Sequence, residues 1–342
     1  MALYQNHPVF SETGIGTIYF GGGTPSVLPV QSIEKIMEQV NTSFQINEAC
    51  EITVEINPET VDLAYLQSLR TIGVNRLSIG AQSFSDSELK ILGRIHNASQ
   101  AIKSIVWARL AGFNNLSIDL IFAIPGQNLK DWERNLQQAI DLTPEHLSLY
   151  CLTIEPGTVL HKQVQSSEKH KADDETERVM YLMSIEIINQ SGCLHYEISN
   201  FARPGLECRH NKKYWDGSPY LGLGPSAHSF WPNVRQWNVA DLPKYFKLVS
   251  ENEKPVHDSE ELTGEQQIFE FIMLCLRTAE GINLFEYERR FGVAFEERYA
   301  GVIKELQYVK DTPLFRLDKN FFCLTPEGFV LYDEICSLFV SD

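Results

Sequence analysis

The stretch Thr17-Ile-Tyr-Phe-Gly-Gly-Gly-Thr-Pro25 joins a short apolar run to three glycines and a proline. The apolar run is typical of a buried strand, and the glycines predict a turn at its carboxyl end. In α/β proteins, ligands bind beyond the carboxyl ends of parallel strands, and glycines there let backbone amides approach a polar ligand. We therefore interpret residues 21–25 as a binding loop, with an ordinary tight turn as the alternative.

Strand-like runs and helical patterns alternate along the first half of the chain. After the first strand, further runs lie at residues 51–56, 76–79, 117–122 and 146–152. The helix before the second run has one apolar face, made by Ile33, Ile36, Met37 and Val40. Another helix is predicted to begin with a capping box of Ser85 and Glu88. Short strands joined by helices predict a parallel sheet, either open and doubly wound or a barrel, and we favour an incomplete (β/α) partial barrel.

The domain organisation follows from where these patterns change. We predict a partial β/α barrel over residues 1–200, a turn-rich aromatic connecting segment over 201–257, and a C-terminal domain over 258–342. The last part predicts three helices: one with an apolar face from Phe269 to Leu276, a second over residues 284–291 and a third over residues 295–308. A hairpin that turns at Asp318-Lys-Asn320 follows them, an arrangement similar to a winged-helix module. Its 8 basic and 17 acidic residues argue against DNA as a ligand of that module, so we expect a protein contact or a lid.

Composition and charge narrow the function classes. The chain has 342 residues, 43% of them hydrophobic, and a net charge of -16, which argues against a nucleic-acid or anionic-membrane surface. No apolar run approaches the roughly 18 residues of a transmembrane segment. Residues 1–20 also lack the layout of a signal peptide. We expect a cytoplasmic protein of about two domains, with no transmembrane segment and no nucleic-acid partner.

The seven cysteines show no metal-binding pattern. The closest pair lies 13 residues apart, and no CxxC occurs. This spacing predicts neither a zinc site nor an iron–sulfur site. We expect reduced thiols, several of them buried as small apolar side chains, because Cys151 and Cys275 lie inside apolar runs.

Polar side chains stand at several predicted strand ends. Glu55 closes the second strand, Gln82 follows the third, and Asp119 lies within the fourth. In a barrel such positions face one mouth, where they can bind amino, carboxylate and ribose hydroxyl groups. Arg94 could offer two parallel hydrogen bonds to a ligand carboxylate. Each has an ordinary alternative: an exposed acid for Glu55, a buried acid held by amides for Asp119, and a helix cap for Arg94.

A long ordered series of motifs resembles one protein family. The chain is similar to radical S-adenosylmethionine (SAM) proteins of the oxygen-independent coproporphyrinogen III oxidase group, and most closely to its haem-chaperone branch, HemW. The matching stretches cover nearly the whole chain and are Phe20-Gly-Gly-Gly-Thr-Pro-Ser26, Val54-Glu-Ile-Asn-Pro58, Arg76-Leu-Ser-Ile-Gly-Ala-Gln-Ser-Phe84, Leu92-Gly-Arg-Ile-His-Asn97, Ser117-Ile-Asp-Leu-Ile121, Ile124-Pro-Gly-Gln127, His146-Leu-Ser-Leu-Tyr150 and Tyr220-Leu-Gly-Leu-Gly-Pro-Ser-Ala-His228. The resemblance implies a radical-SAM-type partial barrel with a C-terminal helical, winged-helix-like domain.

The resemblance also implies a SAM pocket. Its residues would be Gly22, Gly23, Thr24, Glu55, Gln82, Arg94 and Asp119. The first three would hold the amino-acid end of SAM, and Glu55 would contact the same ligand. The last three match positions that line the cofactor cavity in the oxidase branch, including a second SAM site.

One departure from the family pattern changes the expected chemistry. The family carries a CxxxCxxC loop after its first barrel strand, and those thiolates bind a [4Fe-4S] cluster that chelates SAM. Only 16 residues precede Thr17, and no trio of cysteines has this spacing. We expect no cluster, no reductive cleavage of SAM and no catalytic residue in this chain. Truncation of a longer protein is the simplest explanation, with a natural variant or a mis-set start as alternatives.

A haem motif is the second feature that the resemblance implies. Cys208-Arg-His-Asn-Lys-Lys-Tyr-Trp215 matches the HNxxYW sequence associated with haem binding in the chaperone branch. The implied haem-binding residues are His210, Asn211, Tyr214 and Trp215, with His210 as the candidate iron ligand. Imidazole is a good iron ligand, aromatic rings stack on porphyrins, and the basic residues Arg209, Lys212 and Lys213 can meet propionates. If the segment is helical, His210 and Tyr214 share one face.

Other interpretations of this segment stay open. As a structural loop, His210 would bond to backbone carbonyls and Trp215 would pack on the barrel. Cys208 is a competing axial ligand for haem, and His228 in the glycine-rich run is another.

The leading hypothesis is a haem chaperone that binds haem near His210 and passes it to membrane-bound or respiratory acceptor proteins, with SAM as a second ligand. The alternative is an oxygen-independent coproporphyrinogen III oxidase, present here as an inactive fragment without its cluster ligands. A third interpretation is a remnant without activity, in which the missing first strand exposes a sheet edge. A homodimer is left open by the sequence.

Overall fold

The computed structural model describes residues 1–5, 7, 9, 14–307 and 312–340. The strands are β1 Ile15–Phe20, β2 Ile46–Ile56, β3 Arg76–Gln82, β4 Leu116–Phe122, β5 His146–Cys151, β6 Leu194–Glu197, β7 Asn200–Ala202, β8 His228–Trp231, β9 Val234–Asn238, β10 Val256–Glu261, β11 Ile282–Asn283, β12 Phe315–Leu317 and β13 Phe321–Leu324. The α-helices are α1 Val30–Ser43, α2 Leu63–Thr71, α3 Asp86–Ile91, α4 Ala98–Leu110, α5 Leu129–Asp141, α6 Val159–Gln165, α7 Asp174–Gln190, α8 Arg209–Trp215, α9 Leu242–Ser250, α10 Gly264–Leu276, α11 Leu284–Phe291, α12 Phe295–Arg298, α13 Ala300–Leu306, α14 Pro326–Val330 and α15 Tyr332–Ser337. None of these helices is long and apolar enough to cross a membrane.

Two compact units make up the chain. The sheet unit comprises Thr17–Glu34 and Glu51–Cys208. The terminal unit comprises Met1–Gly16, Lys35–Cys50 and Arg209–Asp342. The sheet unit holds the predicted strand-end residues of the SAM pocket. The terminal unit holds residues 209–215 of the haem motif. The domain boundaries after residues 200 and 257 stay a prediction.

A seven-stranded sheet has the strand order β1-β2-β3-β4-β5-β7-β6. Strands β2 to β5 are parallel, and their register places Ser78 beside Ser117 and Ser117 beside His146. Strand β7 pairs antiparallel with both β5 and β6. Because the parallel strands are joined by helices and follow one another in chain order, the sheet confirms the predicted α/β class.

The parallel strands have one polar and one apolar face, since side chains alternate along a strand. The apolar face carries Val54, Ile56, Leu77, Ile79, Ile118, Leu120, Leu147 and Leu149, all buried. Helix α5 covers part of this face: the rings of Trp132 and Phe122 lie 5.5 Å apart. The opposite face carries Thr53, Glu55, Arg76, Ser78, Ser117, Asp119, His146 and Ser148. That polar face is available to bind a ligand.

Helix α3 begins differently from the sequence-based prediction. The predicted capping box of Ser85 and Glu88 is wrong, because Ser85 makes no side-chain capping bond. Glu88 instead accepts a hydrogen bond from the buried hydroxyl of Ser83 and another from the Asn135 amide at 2.9 Å. A carboxylate that is already bonded inside the fold is not available to cap its own helix.

The terminal unit contains two small antiparallel sheets, β10-β9-β8 and β11-β13-β12. The hairpin of β12 and β13 turns at Asp318-Lys-Asn320 as predicted, and the Asp318 carboxylate accepts hydrogen bonds from the backbone N–H groups of Asn320 and Phe321. The predicted third helix is interrupted at Tyr299, between α12 and α13. Its predicted last residue, Tyr308, lies outside the described residues.

Both of the cysteines predicted to be buried are more accessible than expected. Cys151 is exposed and Cys275 is half-buried. Cys151 is the last residue of β5, and the strand's last two residues are exposed. Cys275 lies beside the buried helix face that Ile272 and Leu276 form on α10, and it is only partly turned toward that face. Position within an apolar run therefore did not predict the burial of these two cysteines.

Candidate functional site

The glycine loop after β1 folds onto the carboxylate of Glu55. Gly22 (φ 78°) and Gly23 (φ 61°) adopt left-handed backbone conformations that other residues rarely adopt. A Cβ added at either position would meet nothing within 4 Å, so the backbone conformation, not crowding, requires glycine here. The backbone N–H of Gly22 donates a hydrogen bond to Glu55 Oε2 at 3.1 Å. The loop is therefore held in place by the end of the neighbouring strand.

Glu55 is the carboxylate nearest this loop. The hydroxyl of Tyr19 donates to Glu55 Oε1 at 2.9 Å. Burial raises the pKa of Glu55, and the hydrogen bonds from Tyr19 and Gly22 oppose that rise in part. A ligand ammonium group beside this carboxylate would stabilise its charged form, because an opposite charge lowers the pKa of an acid.

A cavity of about 530 Å³ opens at the carboxyl ends of β2 to β5. This volume is in the range of small-molecule sites. The cavity brings together six of the seven predicted SAM-pocket residues, namely Gly23, Thr24, Glu55, Gln82, Arg94 and Asp119. The seventh, Gly22, contacts Glu55 instead. The sequence analysis missed other lining residues, among them Asn57, Ser78, Tyr150, Cys151 and Thr153.

Asp119 lies on the polar face of β4. It accepts hydrogen bonds from the hydroxyls of Ser78 and Ser117, each at 2.9 Å. Burial raises the pKa of Asp119, and the serine hydrogen bonds and the charge of Arg76 oppose this rise. A carboxylate that already accepts from hydroxyls can accept further O–H donors, such as those of a ribose. Ser78 could have been found from the sequence, since it alternates with apolar residues along β3.

Gln82 and Arg94 supply the remaining polar groups of the cavity wall. Gln82 ends β3 with a φ of 65°, an uncommon conformation for a residue with a side chain. Within the part of the chain that the structure describes, the Arg94 guanidinium makes no hydrogen bond or ion pair. A half-buried cation without a protein partner beside carboxylates is suited to bind an anionic ligand group.

A buried polar group lies deeper on the same face of the sheet. His146 is fully buried, with Nδ1 2.9 Å from the Ser117 hydroxyl and Nε2 2.9 Å from the Tyr196 hydroxyl. Burial and the nearby charge of Arg76 hold the pKa of His146 well below its usual value. The imidazole is therefore neutral, and it connects β4, β5 and β6. The sequence analysis did not identify it as a site residue.

Residues 209–215 of the haem motif form helix α8, and this helix places His210 and Tyr214 on one face. His210 Nε2 lies 2.9 Å from the Tyr214 hydroxyl, one helical turn along. The ring of Tyr214 in turn contacts that of Tyr220 edge to face, with centroids 4.7 Å apart. The structural alternative, in which His210 bonds to backbone carbonyls, stays a prediction. His210 and Tyr214 are both half-buried.

The other residues of the motif have varied surroundings. The ring of Trp215 packs under the Arg277 guanidinium, 4.5 Å from the ring centroid. Arg209 donates to the Ala49 carbonyl at 2.6 Å, so part of its guanidinium is engaged. Lys212 is exposed, and Asn211 is half-buried. Of the basic residues named from the sequence, Lys212 is thus the one most open to a ligand propionate.

The two competing haem ligands differ in accessibility. Cys208 is fully buried, and its Sγ lies 3.7 Å from Glu51 Oε1. A haem cannot reach this thiol without rearrangement of the sheet unit, which argues against Cys208. His228 is exposed on β8, where its ring stacks on Trp237 with centroids 6.0 Å apart.

The resemblance implies a [4Fe-4S] cluster and SAM as bound groups. In the described ranges, no set of three or more His, Cys, Asp or Glu side chains is arranged to hold a metal ion. The sequence also lacks CxxxCxxC. The residues therefore do not fit a [4Fe-4S] cluster. They do fit SAM: the cavity offers carboxylates for its amino and hydroxyl groups and an unpaired guanidinium for its carboxylate.

Family models match two separate parts of the chain. The model of the radical SAM superfamily matches residues 9–139. The model of the HemN C-terminal domain matches residues 262–331. Both matches agree with the fold described above.

A solved structure supports the same fold. The chain is similar to coproporphyrinogen III oxidase (HemN) from Escherichia coli, a radical SAM enzyme, with a TM-score of 0.84, 24% sequence identity, and coverage of 99% of this chain and 82% of that one. This likeness confirms the predicted partial barrel with its C-terminal helical domain. At this identity it carries no conclusion about activity.

Full-length relatives identify the family. The chain is 35% identical to the protein named heme chaperone HemW from Bacillus subtilis (strain 168), over 97% of this chain and 87% of that protein. It is 32% identical to the protein of the same name from Lactococcus lactis, over 100% of this chain and 89% of that protein. It is also 33% identical to radical S-adenosyl methionine domain-containing protein 1, mitochondrial, from Danio rerio, over 94% of this chain and 74% of that protein. The chain therefore belongs to the HemW family of radical SAM proteins.

Proposed function

We propose that this chain is a haem chaperone, which binds haem at helix α8 and passes it to haem-accepting proteins. The observation that carries this proposal is the similarity to heme chaperone HemW of Bacillus subtilis over 97% of the chain. The geometry of α8 supports it, because His210 is oriented by a neighbour on its own helix and is not fully buried.

His210 would be the iron ligand. When the Tyr214 hydroxyl donates its hydrogen bond, it selects the imidazole tautomer whose lone pair lies on Nε2. A neutral imidazole nitrogen with a free lone pair is what haem iron coordinates. His210 Nε2 would hold the iron, and Asn211, Tyr214, Trp215 and Lys212 would contact the porphyrin.

SAM would occupy the cavity of the sheet unit. Glu55 would bind its amino group together with the backbone of Gly22, Gly23 and Thr24, and Arg94 would bind its carboxylate. Gln82 and Asp119 would bind the nucleoside. When bound, SAM would supply a sulfonium cation to the cavity. No cleavage of SAM is part of this proposal, because the residues do not fit a cluster.

The test is a haem titration of the purified chain, followed by the Soret band. We expect saturable binding that His210→Ala weakens by at least about tenfold, since loss of an axial bond costs more than about 1.4 kcal/mol. The matched control is His257→Ala, which removes an exposed imidazole from β10 of the same unit. His228→Ala separates the two histidine candidates.

The outcomes decide between the proposals. If His210→Ala binds haem as tightly as His257→Ala, His210 is not the ligand. If the wild-type chain shows no saturable haem binding, the chaperone proposal is wrong, and an inactive fragment of an oxidase-type enzyme becomes the better description.

Three further proposals accompany this function. The relatives' names suggest haem-accepting proteins as partners. A cytoplasmic location and a homodimer are also proposed, on the basis of the sequence alone. Sedimentation of the purified chain measures the oligomeric state directly.

A further inference from the structure

His96 lies in the stretch Leu92-Gly-Arg-Ile-His-Asn97, and neither the SAM pocket nor the haem motif uses it. Its side chain is 0% exposed. Nε2 lies 3.1 Å from the backbone carbonyl oxygen of Ala81, and Nδ1 lies 3.0 Å from Glu59 Oε2. Both nitrogens of a fully buried ring are thus bonded, one to the end of strand β3 and the other to the turn after β2.

The partners determine where the protons are. A carbonyl oxygen only accepts, so Nε2 must carry a proton. The Nδ1 contact with Glu59 then also contains a proton, held either by the imidazole or by the carboxyl group. In both cases two directional hydrogen bonds fix the ring and the two backbone segments that it joins.

The Ala81 bond acts on the end of β3. The carbonyl oxygen of Ala81 also accepts from the backbone N–H of Ser83 at 2.8 Å. Gln82, between them, has the uncommon φ of 65° and lines the cavity. A backbone conformation of this kind persists only where its surroundings hold it. His96 is one of the groups that hold it.

The Glu59 bond acts on the loops after β1 and β2. Glu59 lies in the 3₁₀ turn Pro58–Thr60, next to Asn57 of the cavity wall. The Asn57 amide donates to the Thr24 hydroxyl at 3.3 Å, and the hydroxyls of Ser26 and Thr60 lie 2.6 Å apart. These two contacts join the turn after β2 to the segment that follows the glycine loop.

Arg94 stands two residues before His96 on the same short loop. Its guanidinium has no protein partner among the described residues, while its backbone N–H donates to the Leu89 carbonyl at 2.9 Å. No side-chain hydrogen bond or ion pair to a described residue therefore holds Arg94 at the cavity. Anchoring the loop at His96 limits how far Arg94 can move.

We propose that His96 is a positioning residue that joins its own loop, the end of β3 and the turn after β2, and so places Thr24, Gln82 and Arg94 for one common ligand. It does not contact the ligand. The proposal rests on the proposed SAM site for its effect on affinity, but its effect on the loops is independent of any ligand.

The first measurement is hydrogen–deuterium exchange of the ligand-free chain. In His96→Ala we expect amide exchange to rise by about tenfold, equivalent to about 1.4 kcal/mol, in segments 57–61 and 80–85. The matched control is Ser184→Ala, which removes the buried hydroxyl that accepts from Trp132 Nε1 at 2.8 Å in the same unit. It is expected to leave both segments unchanged. Unchanged exchange in His96→Ala overturns the proposal.

The second measurement is SAM affinity by calorimetry. His96→Ala should weaken binding by about tenfold, and His96→Gln, whose amide can still donate to Ala81, should recover part of this loss. An equal loss in Ser184→Ala would show a merely structural effect and would contradict the proposal.

The exchange and the affinity measurements together distinguish a failure of this inference from a failure of the proposed SAM site. If the wild type does not bind SAM but His96→Ala still loosens both segments, the SAM site fails and the positioning role stands. If His96→Ala does not fold, Glu59→Ala, which removes only the Nδ1 contact, takes its place in the exchange experiment, with segment 57–61 as the readout.

Discussion

The strand-end cavity and helix α8 hold their functional groups in different ways. At the cavity, Glu55 is oriented by Tyr19, which lies 36 positions earlier on another strand. On α8, His210 is oriented by Tyr214, only four positions along the same helix. The first arrangement exists only once the sheet has formed, whereas the second needs a single turn of helix.

This difference determines what a substitution can change. In the cavity, most polar groups serve both the fold and the ligand, because their partners come from other strands. Arg94 is an exception, since it has no side-chain partner among the described residues. On α8, the hydrogen bond between His210 and Tyr214 is local to one turn of the helix. We therefore expect most cavity variants to change both ligand affinity and the free energy of unfolding. Variants of Arg94 or of α8 should change ligand affinity with a smaller effect on the free energy of unfolding.

The largest effect is expected for Arg94→Ala. Loss of a hydrogen-bonded cation opposite the ligand carboxylate should weaken SAM binding by about 10- to 150-fold, or about 1.5–3 kcal/mol. The free energy of unfolding should change by less than about 0.5 kcal/mol, because no protein partner is lost. Calorimetric titration and urea denaturation measure the two quantities.

The matched control is Arg134→Ala on helix α5, where Arg134 is exposed and paired with Asp131. Exposed pairs of this kind contribute little, so both SAM affinity and stability should stay close to wild type. Equal losses of affinity in the two variants would remove Arg94 from the proposed site.

A smaller effect is expected for Tyr214→Phe. It removes the hydroxyl bonded to His210 but keeps the ring, and should lower the free energy of unfolding by about 0.5–1.5 kcal/mol. Haem binding should weaken less than in His210→Ala, since the imidazole remains. The control is Tyr220→Phe, because the Tyr220 hydroxyl makes no hydrogen bond to another described residue. If both variants behave alike, the hydroxyl of Tyr214 does not orient His210.

The smallest effect concerns the pH dependence of stability. Because burial raises the pKa of Asp119, the folded state binds more protons than the unfolded state above the ordinary aspartate pKa of about 3.9. Stability contributed by this group is therefore present at low pH and lost as the pH rises through the raised pKa. Asp119→Asn removes that loss, so its stability relative to wild type should improve from pH 4 toward pH 7.

Urea denaturation at several pH values measures this trend. The control is Glu133→Gln, an acid-to-amide change at an exposed position of α5. Its stability relative to wild type should not depend on pH. A stability difference for Asp119→Asn that stays flat or falls with pH would contradict the assigned environment of Asp119.

Much of the fold was predictable because it is encoded locally. The helix Leu284–Phe291 and the hairpin turn at residues 318–320 lie where the sequence predicted them. Strand β2, however, begins at Ile46, five residues before the predicted run. The residues of this extension include polar and exposed ones, so apolar patterning did not mark them.

For the candidate site, the lining residues were largely predictable from the sequence, but their hydrogen-bond partners were not. Six strand-end and loop residues named from the sequence line one cavity, because parallel strands bring their carboxyl ends to the same edge. The partners of those residues were not predictable. The bond between His96 and Glu59 spans 37 positions, and no sequence pattern joins them.

The sequence by itself determined the strand-helix order, the glycine loop, the helical spacing of His210 and Tyr214, and the absence of the CxxxCxxC spacing. These properties depend on neighbouring residues or on composition. The tertiary structure alone decided that Cys208 is buried, that Glu88 bonds to Ser83 and does not cap its helix, and that His96 joins the end of β3 to the turn after β2. The physical reason is that burial and hydrogen-bond partners depend on which distant segments pack together, and a linear pattern does not specify that packing.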